Sequence, residues 1–144
     1  MINAQLLQSV SQSGYITLEA TGQCMSEVFS VGDHLRVGAQ NHYWPGDIVT
    51  FERASGGFVS HRLLGCLPTR RGWRMVTRAD LSGREDGTID RQQLVGRIMA
   101  ISGKPYRPTL RDRLRALAWL LMAGLRRFSH LLVRRTVSPE GASS

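Results

Sequence analysis

Cys24, His61 and Asp80 supply a thiol, an imidazole and a carboxylate, in that order along the chain. Those three groups are the parts of a nucleophilic hydrolase, in which a base takes the proton of the nucleophile and the nucleophile attacks a carbonyl. Cys24 sits in Gly22-Gln23-Cys24-Met25-Ser26-Glu27, and His61 in a strand-like run from Phe58 to Leu64. Side chains alternate faces along such a strand, so His61 shares the apolar side with Val59 and Leu63 while Ser60 and Arg62 look the other way. A neutral imidazole there can take the proton of a nearby thiol. The resulting thiolate-imidazolium pair draws the cysteine pKa below its usual value of about 8.5. The plain alternatives are a small buried cysteine and a hydrogen-bonded core histidine, the commoner fates of both residue types.

The elements that must position these groups are short. Ile2, Leu6, Leu7 and Val10 recur at helical spacing, which predicts a short N-terminal helix ending near Ser13-Gly14. From Tyr15 the pattern shortens to strands: Tyr15 to Ala20, His34 to Val37, Ile48 to Arg53, Phe58 to Leu64, Trp73 to Arg78 and Leu94 to Ile101, separated by Gly, Pro, Asn and Asp turns. Ser55-Gly56-Gly57 joins two of these runs as a hairpin, and Leu81 to Asp90 reads as loop. The expected architecture is mainly β: one compact antiparallel β domain with a short N-terminal helix and a C-terminal amphipathic helix.

The chain has 144 residues and a net charge of +8. It is long enough for one domain with a core of its own. The charge is unevenly placed. Residues 1–103 carry ten Arg against nine Asp and Glu, whereas residues 104–144 carry nine Lys and Arg against Asp112 and Glu140. The boundary therefore falls at 103, with a nearly neutral β body at 1–103 and a linker, basic helix and disordered tail at 104–144. Two prolines in Lys104-Pro105-Tyr106-Arg107-Pro108 oppose both helix and central strand. Thr109 can then cap a helix in which Leu110, Leu114, Leu117, Leu121, Leu125, Phe128 and Leu132 form one stripe, with arginines off it or at its ends.

Three readings of that helix compete: a cover for the β body with its arginines solvated outside, a dimerising helix hairpin, and an interfacial helix drawn to a membrane surface through Leu110–Leu132. Its apolar middle, Ala116 to Leu125, is too short to span a bilayer, which needs about 20 residues. No nucleic acid is expected as a partner, since a leucine-faced helix offers no aromatic platform for bases. No Lys or Arg precedes Arg36, so a secretory leader is not expected and the location read from the sequence is cytoplasmic, peripheral at the inner membrane if the helix binds lipid. Cys24 and Cys66 are not expected to form a structural disulfide. The four histidines lack ligand spacing, so neither a metal site nor any cofactor is implied.

The residues around the trio carry a resemblance. Gly22-Gln23-Cys24-Met25, Gly32-Asp33, Gly46-Asp47-Ile48-Val49, His61-Arg62, Thr77-Arg78-Ala79-Asp80 and Val95-Gly96-Arg97-Ile98 follow one another in an order and spacing that resembles the type I signal peptidase and LexA-repressor superfamily. The likeness spans roughly residues 15 to 103. His61 stands where the archaeal and endoplasmic-reticulum branch carries His. Cys24 replaces the usual Ser, Glu27 the usual Pro, and Ala79 the usual Gly.

The resemblance implies a signal-peptidase-like or LexA-like β domain that cleaves a protein or precursor peptide. It implies Cys24 as nucleophile with its own N–H in the oxyanion hole, and His61 as base. Asp80 would orient the imidazole, with Asp86 as the substitute for that role, and Met25 and Glu27 would line the substrate groove, Met25 being otherwise a core residue. The alternative is a non-catalytic peptide-binding adaptor on the same fold, suggested by Glu27 and Ala79.

Overall fold

A computed structural model describes residues 12–23 and 25–136. The helix expected over Ile2 to Val10, the tail beyond Thr136 and Cys24 itself lie outside the described residues.

Among the described residues eight strands form one antiparallel sheet: β1 (Ile16–Glu19), β2 (His34–Gly38), β3 (Ile48–Glu52), β4 (Phe58–Thr69), β5 (Gly72–Arg78), β6 (Thr88–Ile89), β7 (Leu94–Ile101) and β8 (Lys104–Pro105). Their order is β1-β2-β7-β3-β4-β5-β6, with β8 folded back on β7. The sheet curls until β1 and β4, separated in that order by three other strands, line the same cavity. Inside the curl Ile16, Leu35, Val37, Ile48, Val95 and Ile98 make the main core with Met25 and Phe29 from the loop after β1. A second cluster, Val49, Phe51, Leu63 and Ile89, occupies the other side of β3 and β4.

The strands form where apolar and polar residues alternate, and the Arg53 to Gly57 turn closes the β3–β4 hairpin. Three strands depart from the expected set, the first being β6, which pairs with Met75 and Val76 inside the segment expected to be loop. β4 continues to Thr69 because Gly65, at φ +147°, lets the strand carry an extra residue between Leu63 and Gly65 instead of ending. The sequence predicts linker at Lys104 and Pro105; instead they pair with Ile101 and Ala100 at the sheet edge, where proline loses no ladder bond.

The helix α1 (Leu110–Thr136) follows the sheet. Thr109 and Asp112 cap it reciprocally: the Asp112 N–H donates to the Thr109 hydroxyl at 3.2 Å and the Thr109 N–H to the Asp112 carboxylate at 2.9 Å. The helix lies on β4 and β5 through Ala116, Trp119 and Leu120, which meet Leu64, Val76 and Leu67. Leu120 sits over Gly65, where a β-carbon would fall 2.6 Å from its methyl. This is not the face the leucine stripe suggests. Leu110, Leu114, Leu117, Leu121, Leu125 and Phe128 are all exposed, so the stripe does not cover the body. The reason is electrostatic. The body presents Asp47, Asp80, Glu27 and Glu85 to the helix, and Arg113, Arg115 and Arg126 turn inward to meet them.

Candidate active site

His61 lies in the middle of β4, paired with Val49 of β3, and is 5% exposed. Strand alternation sets its direction, and Phe51 meets the ring edge-on with centroids 6.0 Å apart. Its Nδ1 lies 2.5 Å from the Asp86 carboxylate. The Thr77 hydroxyl donates to the same Asp86 oxygen at 2.9 Å, and the Asp86 N–H donates to the Thr77 carbonyl at 2.7 Å. Asp86 is thus held to β5 by backbone and side chain while it holds the imidazole. The other ring nitrogen, Nε2, is buried and has no hydrogen-bond partner among the described residues. A buried polar nitrogen without a partner is rare, because its desolvation goes uncompensated. With Nδ1–H donated to a carboxylate, the tautomer that remains leaves Nε2 as a free proton acceptor.

The carboxylate at His61 is therefore Asp86, the substitute, and not Asp80. Asp80 makes a two-pronged pair with Arg62: Nε to Oδ1 at 2.7 Å and an Nη to Oδ2 at 2.6 Å. Arg62 is the neighbour of His61 on the opposite face and is 1% exposed. Burial opposes its charge, but the bonds to Asp80 and the attraction of that carboxylate outweigh it and raise the Arg62 pKa. Arg62 also donates to the Gly46 carbonyl at 3.1 Å. A guanidinium buried on a strand needs a carboxylate at once, and Asp80 meets it with both oxygens while Asp112 stands further off at 3.4 Å.

The segment around position 24 is fastened on both sides. At the base of its loop the Ala20 N–H donates to the Asp33 carbonyl and the Gly32 N–H to the Ala20 carbonyl. The Ser26 N–H donates to the Gln23 carbonyl at 3.1 Å, and the Val28 and Phe29 N–H groups donate to the Met25 carbonyl. Met25 is fully buried, and its sulfur accepts the Asp80 N–H at 3.3 Å. Of the two places the sequence allows it, core and groove wall, it occupies the core. Glu27 is exposed and accepts from both Nη atoms of Arg115 at 3.2 Å, so it too is engaged within the molecule. Arg115 reaches Asp80 at the same distance, which links α1, the loop after β1 and the end of β5 in one ion cluster.

A cavity of about 430 Å³ opens beside this loop, lined among others by Leu18, Ala20, Gly22, Phe29, Val59 and Ser60. Gly22 and Ser60 stand two residues and one residue from Cys24 and His61 respectively. β1 borders the cavity and pairs only with β2 among the described residues, so its other edge has unused backbone groups.

Both Gly-Asp pairs serve turns. Asp33 accepts from the Ser30 N–H and from the Ser102 hydroxyl, which lower its pKa. Asp47 is buried, accepts the Trp44 N–H at 2.9 Å and faces Arg97 and Arg113. Cys66 is a free thiol at the surface of β4, and partial burial raises its pKa. No group of three or more His, Cys, Asp or Glu side chains among the described residues converges as a metal site would require.

Sequence reasoning names Thr77 and Arg62 within their motifs but gives neither a role at the site. The signal for Arg62 is present: an arginine inside an apolar strand run must find a buried acid. Compared with protein-family models and with curated proteins, the chain matches none.

Proposed function

We propose that the protein is a cysteine-type peptidase of the signal-peptidase and LexA-like kind, with Cys24 as nucleophile, His61 as general base and Asp86 as the carboxylate that orients the base. The observation that carries this reading is the state of His61: one ring nitrogen fixed by Asp86, the other buried and unused among the described residues. A histidine serving only the core would have both nitrogens satisfied. The neighbours of position 24 support the pairing. Gly22 shares a cavity with Val59 and Ser60, the strand residues just before His61.

In this mechanism Nε2 of His61 takes the Cys24 proton, and the thiolate attacks the carbonyl carbon of the scissile peptide. The tetrahedral oxyanion collapses with expulsion of the amine, to which His61 returns the proton, and water then hydrolyses the thioester. The Asp86 carboxylate stabilises the imidazolium in between. An extended peptide laid along the open edge of β1 would bond to its free backbone groups and put one side chain into the cavity near Gly22 and Phe29.

The test is covalent. Peptidyl fluoromethyl ketones bearing small apolar residues should add one inhibitor mass to Cys24, and His61→Ala should abolish the adduct. Equal, slow modification of Cys24 and Cys66 that ignores His61 would favour the peptide-binding adaptor.

A further inference from the structure

The outward face of α1 inverts the usual pattern of a surface helix. Such a helix turns its apolar stripe to the core and its charges to water. Here the inward contacts are Ala116, Ala123 and Leu120 with Arg113 and Arg115, whereas Leu121 is 66% exposed, Leu125 61% and Phe128 62%. Together with Leu110, Leu114 and Leu117 they recur every three or four residues. They form a continuous apolar ridge roughly 27 Å long at 1.5 Å per residue. Met122 and Ala118 extend it sideways.

Basic residues flank both ends of the ridge, Arg107 and Arg111 at one and Arg127 at the other, and the sequence beyond continues to Arg134 and Arg135. After Asp112 no acidic residue occurs until Glu140. Asp112 itself is held by Thr109 and Arg62, and Glu27 by Arg115. No helix among the described residues is long and apolar enough to cross a membrane.

We propose that α1 docks flat on an anionic lipid surface, its leucine ridge entering the boundary between headgroups and acyl chains and its flanking arginines meeting the headgroups. Charge decides between this occupant and a second copy of the chain. Two such ridges face to face would bring arginine clusters together with no acidic residue of the ridge between them, whereas an anionic bilayer supplies both the apolar layer and the countercharge.

The experiment is flotation of the full chain with vesicles of phosphatidylcholine alone and of phosphatidylcholine mixed with phosphatidylglycerol. The chain should float with the mixed vesicles and much less with the neutral ones, and high salt should weaken but not abolish the difference. Changing Leu117, Leu121 and Leu125 together to Gln should lower partitioning by at least about tenfold. These side chains are exposed, so the melting temperature should hold. As a check that needs no loss of binding, Leu121→Trp should add emission that lipids brominated in their acyl chains quench, beyond any quenching of the parent chain. Failure to float with anionic vesicles, unchanged flotation of the glutamine variant, or no added quenching from the reporter at position 121 would each overturn the proposal. So would a dimer in solution that the glutamine substitutions disperse while vesicles are ignored, and it would make the second copy the occupant.

Discussion

Asp80 and Asp86 lie six residues apart in the segment after β5, and the structure assigns them opposite burdens that substitution to asparagine should separate. Asp80→Asn removes the charge that faces Arg62, which is 1% exposed. Breaking a buried ion pair from one side costs about 3–5 kcal/mol. Arg62 keeps its bond to the Gly46 carbonyl and an Asp112 oxygen at 3.4 Å, so the lower end, about 3 kcal/mol, is expected. For a chain of this size that lowers the melting temperature by roughly 10 °C. Asp86 meets its histidine from the solvent side, with its own side chain 30% exposed, and Asp86→Asn should cost no more than about 1 kcal/mol.

Its effect falls on chemistry instead. An amide N–H donated to Nδ1 traps the tautomer with its proton on Nε2, which cannot accept the proton of a thiol. Alkylation of Cys24 at about pH 6 should slow by tenfold or more, a smaller factor than the lost thiolate alone because a more basic thiolate reacts faster. Thermal melting followed by circular dichroism and site-resolved mass spectrometry of the alkylated chain read the two outcomes. The assignment fails if Asp86→Asn leaves Cys24 as reactive as before, or if Asp80→Asn melts like the parent and slows Cys24.

Three further outcomes follow from single contacts. Gly65→Ala puts a methyl 2.6 Å from the Leu120 side chain at a positive φ, so denaturant unfolding should show a loss of about 1–3 kcal/mol, partly recovered by Leu120→Ala in the same chain. In a Cys24→Ser chain, alkylation of Cys66 should rise only above the ordinary thiol range, because burial raises its pKa and a raised pKa means less thiolate at any given pH. Asp112 has its pKa lowered: burial opposes its charge, but bonds from Thr109 and the nearby Arg62 and Arg115 prevail. Its contribution, about 1 kcal/mol, should be present in full above the ordinary carboxylate value of about 4 and vanish as pH falls through the depressed one. The stability gap between the parent and Asp112→Ala should close at low pH accordingly.

The strands were legible because alternation of apolar and polar residues is a local signal, and β2, β3, β5 and β7 fall where it placed them to within a residue or two. Gly65 misled, since a glycine in a strand reads equally as an end or as a bulge, and only the helix resting on it decides. Periodicity revealed the apolar stripe of α1 but not which way it faces. That depends on carboxylates at 27, 47, 80 and 85, which no window on the helix contains. The place of His61 on a strand with its ring on the apolar side was legible from alternation. The choice between Asp80 and Asp86 was not, because it turns on Arg62 claiming one of them from the far side of the strand.

The pairing of Cys24 with His61 is tested most directly by the pH dependence of iodoacetamide alkylation in a Cys66→Ser chain. The account predicts an inflection well below the ordinary thiol value of about 8.5, shifted up towards that value by His61→Ala. A single inflection near the ordinary value, the same with and without the imidazole, would contradict it.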